Sequence, residues 1–307
     1  MNITRSALLA VAVGSIIGCA SGPHPWSREE VCSIKKAPNV VIDDYETWIQ
    51  LLLRGYDRQT HRATAPAVDC TGMQVKWDQP ALSCTDSTAA RTQLPDRPLT
   101  EADVVVNQFG PDIRLVWVIT NRFASGDGLG PAAVVEIRPN DVLVRAIGPL
   151  RANIQRVKMR LEPIGKTEVL VAEGEQCATK EQSSCSRGVR IMPYQSGRFL
   201  PEIIMGDNSE GEACLQPAWF FLQREEQSKL DSGWRRRFRL TASLAFDPKA
   251  LTVQELLTVH DLDPRNPSTP PQLYRTAHSD EIVKYFNGRL VADKAPLWTK
   301  MTAVLKE

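Results

Sequence analysis

His260-Asp261-Leu262-Asp263 is the cluster of ionisable groups best placed to do chemistry in this chain. Two carboxylates beside an imidazole can hold a divalent cation, or set a general base against an orienting acid. A calcium loop of the EF-hand kind would need a ligand at 265 and a glycine at 266, where Arg265 and Asn266 stand. Pro264 and Pro267 follow, so His260, Asp261 and Asp263 read as a polar turn after a strand ending near Val259. Trp234-Arg235-Arg236-Arg237-Phe238-Arg239 is a basic patch with aromatic flanks. Guanidinium groups suit phosphates, anionic glycans or an acidic partner. On a strand, Arg235, Arg237 and Arg239 share one face while Arg236 joins Phe238 on the other. With Trp234 they form the surface most suited to an interaction; the plainer reading is a solvated strand face with one arginine paired to an acid.

Other patterns fail on spacing. Gly165-Lys166-Thr167 looks like the end of a phosphate-binding loop, but Arg160 stands where the first glycine is required, and a strand follows instead of a helix. Ser33-Ile34-Lys35-Lys36 has the acylating Ser–Lys spacing of penicillin-binding enzymes without their companion S-D-N and K-T-G elements. No G-x-S-x-G elbow occurs. The glycines of Gly126-Asp127-Gly128-Leu129-Gly130 read as a hairpin loop between strands at 114–120 and 132–137.

Seven cysteines occur. Setting Cys19 aside leaves Cys32, Cys70, Cys84, Cys177, Cys185 and Cys214, which in an oxidising compartment imply up to three disulfides. Nearness in sequence favours Cys70–Cys84 and Cys177–Cys185, leaving Cys32–Cys214. The four histidines, at 24, 61, 260 and 278, lie at no ligand spacing from one another or from a cysteine, and no C-x-x-C pair occurs, so neither a metal nor a cofactor is expected.

Cys19 closes the run Ile16-Ile17-Gly18-Cys19, behind an uncharged stretch from Ser6 to Gly18 with Arg5 before it. The run resembles the lipobox of bacterial lipoprotein precursors. That resemblance implies a signal peptide over 1–18, cleavage before Cys19, and lipid attached to the cysteine. The apolar stretch is too short for the ~20 residues of a membrane-spanning helix. Ala20 follows the cysteine; by the sorting rule of enterobacterial lipoproteins this implies the outer membrane, or the plasma membrane in a Gram-positive host. Residues 19–30 read as a proline-broken tether, and 31–307 as a globular body whose 31–100 portion is readable as a separate irregular subdomain. Removing Arg5 from 37 basic residues leaves 36 against 36 acidic ones. A neutral body gives no electrostatic case for nucleic acid.

The elements that must position these residues are mostly strands. Tyr45, Trp48, Ile49, Leu52, Leu53 and Tyr56 recur at helical steps, with Asp43 or Asp44 to cap them. Beyond about residue 103, short apolar or alternating runs recur at 103–107, 114–120, 132–137, 142–147, 154–161, 168–172, 189–192, 218–222, 238–246 and 253–259. Turn residues such as Gly148-Pro149 separate them, and Asn287-Gly288 is a strong hairpin signal. Connections this short cannot hold crossover helices, which disfavours parallel α/β and predicts a mainly-β body, an antiparallel sandwich or barrel with one short helix. A strand, Gly197 and Phe199-Leu200-Pro201 are similar to one blade of an FG-GAP propeller, which leaves a partial or small propeller as the alternative. The functional expectation is a lipid-anchored envelope protein, a non-enzymatic structural or assembly subunit with an envelope partner. The alternatives are a glycan- or ligand-binding module and an envelope hydrolase.

Overall fold

The computed structural model describes residues 30–36, 42, 44–63, 69–72, 84, 97–165, 167–177, 185–200, 203–207, 214–298 and 300. Cys19, the leader, residues 19–29 of the tether and the strand expected around 73–77 lie outside them. In chain order the elements are β1 (Cys32–Lys35), α1 (Tyr45–Leu52), β2 (Tyr56–Asp57), β3 (Arg62–Ala63), β4 (Val104–Phe109), β5 (Ile113–Val118), β6 (Asn121–Arg122), β7 (Asp127–Ile137), β8 (Asp141–Asn153), β9 (Gln155–Ile164) and β10 (Thr167–Gln176). They continue as β11 (Ser186–Gln195), β12 (Arg198–Phe199), β13 (Ile203–Gly206), β14 (Cys214–Pro217), β15 (Trp219–Lys229), β16 (Arg235–Phe246), β17 (Leu251–Leu262), β18 (Gln272–Phe286) and β19 (Arg289–Ala292). The fold is mainly β, as the alternating runs predict.

The helix forms where its apolar stripe predicts. Asp44 caps it, its carboxylate accepting the Glu46 amide at 3.0 Å, and Trp48, Ile49, Leu51 and Leu52 are buried. It ends a turn earlier than the spacing suggests, and Tyr56 belongs to the short β2–β3 hairpin. Its apolar stripe packs on one face of the β4–β5–β7–β8 meander through Val116, Val118, Val135 and Val144. The opposite face, with Leu115, Trp117, Val134 and Leu150, packs on Met159, Leu170 and Met192 of β9, β10 and β11.

The second half curls on itself. Antiparallel pairings run β9–β10–β11–β15–β16–β17–β18–β19. β19 then pairs with β13, β13 with β14, and β14 leads through Ala218 into β15. The hydrogen-bonded path from β15 to β19 therefore returns to its own start, a barrel-like closure. Its interior holds Val169, Ile191, Ile204, Phe220, Leu251, Val253, Val283 and Leu290. Nothing resembling radial blades is present among the described residues: the segment likened to a propeller blade is the β11–β12 hairpin, turned by Ser196 and Gly197 with φ of 50° and 70°.

Several expectations need correction. Gly126–Gly130 is not a hairpin loop: β7 begins at Asp127, and a Cβ on Gly130 would stand 1.8 Å from the Val118 carbonyl, so glycine lets two backbones touch. Gly148-Pro149 does not turn the chain; both residues lie inside the 13-residue β8. His260, Asp261 and Leu262 complete β17 rather than following it. Among the described residues two short pairings, β12 with β8 and β13 with β19, are parallel and the others antiparallel.

Disulfide pairing follows the fold instead of sequence proximity. The bonds are Cys32–Cys70, Cys84–Cys214 and Cys177–Cys185; only the last was favoured by nearness. Cys32 lies on β1, paired to the start of β8, while Asp69, next to Cys70, is held by Arg198 of β12 at 2.7 Å. Since β12 also pairs with β8, both cysteines gather at that strand.

Candidate functional site

Two acidic side chains occupy the apolar phase of their strands. In β17, Leu251, Val253, Leu257 and Val259 point inward, and Glu255 falls in step with them at 6% exposure. In β18, Glu281 shares the inward phase with Val283 and is fully buried. Val253 opposes Glu281 and Glu255 opposes Ser279, so the two glutamates are diagonal cross-strand neighbours, about 7–8 Å apart at Cα. The Leu297 amide donates to Glu255 Oε2 at 2.7 Å, and the Gln216 side-chain amide donates to Glu281 Oε1 at 2.9 Å. Glu281 Oε2 and Gln216 Oε1 are buried with no hydrogen-bond partner among the described residues.

Burial raises both acids. For Glu281 burial is the main cause, reinforced by the charges of Glu255 and Asp293 and opposed by Lys294 and Lys300, and its pKa is pushed up to about 8. Glu255 is raised by burial, against the Leu297 hydrogen bond and the same two lysines. Glu281 is thus mainly a neutral acid at pH 7.

A cavity of about 300 Å³ opens on Glu255, with Gln216, Trp219, Phe221, Arg224 and Trp298 among its other lining residues; Glu281 lies behind Gln216. Trp219 lies against β11 because Gly188 has no side chain: a Cβ there would stand 2.6 Å from the indole. Arg224 places its guanidinium 4.3 Å from the Phe221 ring centre and 4.8 Å from that of Trp298. Glu226 is the carboxylate neighbour of Arg224 at 3.6 Å, and burial lowers the pKa of the Arg224 guanidinium. Gln176 and Ser125, also on the lining, join through the Gln176 amide and the Ser125 carbonyl. Two disulfides flank the lining, since Cys177 follows Gln176 and Cys214 stands two residues before Gln216.

The residues singled out from sequence lie elsewhere, and the fold merges two of their groups. β16 and β17 set Arg235 against Leu262, Arg236 against Asp261 and Arg237 against His260. Arg236 forms a two-pronged pair with Asp261 at 2.8 and 3.0 Å and stacks 3.8 Å from the Tyr274 ring centre. Asp263 accepts the Arg265 amide at 2.9 Å as a turn residue. Arg237 and Arg239 line a second, polar cleft of about 460 Å³ with Arg156, Arg187 and Arg224; Arg239 is paired to Glu225 at 3.0 Å. Trp234 and Arg235 do not line that cleft. Glu175, Cys177 and Cys185 place ligand-type atoms within 4.8 Å of one another, but the two sulfurs are bonded together and Glu175 pairs with Arg156 at 3.2 Å.

The cavity was missed because its acids sit alone in sequence, without motif spacing. A signal was present: a glutamate replaces an apolar residue at the inward phase of Leu251-x-Val253-x-Glu255-x-Leu257. Trp298, which sequence reading gave no role, forms part of the wall. Fold and cavity together define a disulfide-stapled, barrel-like β body with an aromatic-walled cavity that meets a buried glutamate. No family model, curated protein or solved structure matches the chain.

Proposed function

We propose that the chain is exported, cut before Cys19 and lipid-anchored there, and that its β body binds a small ligand in the Glu255 cavity. One observation carries the binding reading: an aromatic-walled cavity where the buried acceptor Gln216 Oε1 lacks a donor. A buried polar group left unpaired costs about 1–3 kcal/mol, and a ligand donor removes that cost. The run ending at Cys19 supports the anchor. Six cysteines joined in three disulfides support an oxidising compartment. By the sorting rule, Ala20 supports the outer membrane.

The test is a small-molecule library screened against the purified body by tryptophan emission and thermal shift. Hits that change emission and raise Tm, and that weaken in Trp298→Ala and in Gln216→Leu, support the reading. A native protein without hits counts against it.

A second reading, an assembly subunit for an envelope partner, draws support from β18. β19 pairs with it only over Val283–Phe286, and among the described residues no strand pairs with its outer edge over 272–281. Leu273 and Tyr274, on that stretch, are 63% and 53% exposed. An open edge with exposed apolar side chains is suited to strand addition by a partner. Cross-linking in the native cells followed by mass identification tests it; recovery of the protein alone would count against it.

A further inference from the structure

The cavity has two poles of opposite character, both incompletely matched. At one, Arg224 is stacked between Phe221 and Trp298, with Glu226 at 3.6 Å, outside hydrogen-bond length. At the other stand Glu255 and the unpaired acceptor Gln216 Oε1, with Glu281 behind the Gln216 amide. Arg224 opposes Leu240, which opposes Leu257, and Glu255 lies two residues along β17 from Leu257. Two strand spacings across and two residues along put Arg224 and Glu255 about 12 Å apart at Cα. Both side chains extend from there into the same cavity.

We propose that the cavity's ligand is a small zwitterion of the short-peptide class, its carboxylate on Arg224 and its ammonium on Glu255 and Gln216. The inference rests on the binding reading above and specifies its ligand. An ammonium brings three donors and no acceptor, matching a pole that lacks donors. A carboxylate gives the Arg224 guanidinium the two-pronged partner that Glu226 does not supply. A ligand with an ammonium alone would leave Arg224 unmatched, and an anion alone would face Glu255. The aromatic walls accept its side chains, and its carboxylate joins Glu226 beside the Arg224 guanidinium.

Calorimetric titration of the native protein at pH 7 with Ala-Ala, its N-acetyl form and its C-terminal amide tests this directly. Free Ala-Ala is expected to bind, and blocking either end to weaken it at least ~10-fold, the loss of one charge-assisted hydrogen bond. In Arg224→Gln the amide and the free peptide should bind alike; in Glu255→Gln the acetylated and free peptides should. Equal binding of free and blocked peptides to the native protein overturns the proposal. No peptide binding alongside library hits that depend on Trp298 overturns the zwitterion and leaves the cavity reading standing. No ligand of any kind overturns both.

Discussion

Glu281→Gln should make the protein more stable at pH 8 while leaving it nearly unchanged at pH 4.5. Glu281 is fully buried, and its pKa moves from the ordinary 4.5 to about 8 in the fold. Between those values the folded chain holds a proton that the unfolded chain has released. Stability from this group is therefore complete below pH 4.5 and is lost as pH rises through 8, at about 1.4 kcal/mol per pH unit. Over 3.5 units that is about 5 kcal/mol, of which some 3 kcal/mol are gone by pH 7. Glutamine keeps an oxygen to accept the Gln216 amide at the 2.9 Å contact and carries no proton to lose. The groups facing Glu281, namely Glu255, Asp293, Lys294 and Lys300, remain in both proteins, so the difference between the curves reads the Glu281 proton together with its coupling to them. Urea unfolding with disulfides intact, at half-unit steps from pH 4.5 to 8.5, gives the two curves. They should diverge with the slope above, the variant on top. Parallel curves across that window would refute a protonated Glu281 and the burial argument behind it.

Asp103 should behave in the opposite sense. It is buried between Arg97 and Arg122 at 2.8 and 2.9 Å, and those hydrogen bonds outweigh burial to hold its pKa at about 2. Its contribution of about 2 kcal/mol is present above pH 3.8 and lost as pH falls through 2, trimmed because both arginines are partly exposed. Asp103→Asn should remove the acid-side dependence in the same unfolding series. Replacing Cys84 and Cys214 by serine, which opens a link of 130 residues, should cost about 5 kcal/mol by loop entropy; the 8-residue Cys177–Cys185 link should cost about half that. Thermal unfolding of the two double variants should rank them in that order. Gly130→Ala should destabilise by ~3 kcal/mol, since its Cβ cannot fit against Val118, and a variant as stable as the native protein would contradict the β5–β7 geometry. Cys19→Ser should turn a detergent-phase protein into an aqueous-phase one in Triton X-114 partitioning of native cells; an unchanged distribution would refute lipidation.

Local chemistry carried much of the fold into the sequence. Phe238, Leu240, Leu244 and Phe246 alternate and do form β16, and Asn287-Gly288 turns the β18–β19 hairpin with φ of 49° and 78°. These signals are legible because period and turn geometry are properties of a few neighbouring residues. What failed depends on distant partners. The front of β18, over 272–281, is mostly exposed and has no apolar alternation; it is a strand because β17 pairs with it residue by residue. Gly148 reads as a turn until Phe199 is known to pack where its side chain would be. Disulfides other than Cys177–Cys185 were illegible for the same reason, since strand order brings the cysteines together.

The cavity lies between these cases, and its acids reveal more than the arginine patch does. Arg236, Arg237 and Arg239 form a dense motif, yet Arg236 and Arg239 are answered by Asp261 and Glu225, so they chiefly complete a sheet surface. Glu255 and Glu281 form no motif, yet each breaks the inward apolar phase of a strand in the closed circuit. Leucine at either position would match that phase and avoid the cost of burying an acid. The chain forgoes that stability at two diagonal positions, Glu255 on the cavity wall beside Arg224 and Trp298, and Glu281 bonded to Gln216 of the same wall. A lone polar exception has many explanations in a core; two that meet behind one cavity, with acceptors left open, are best explained by something that enters it.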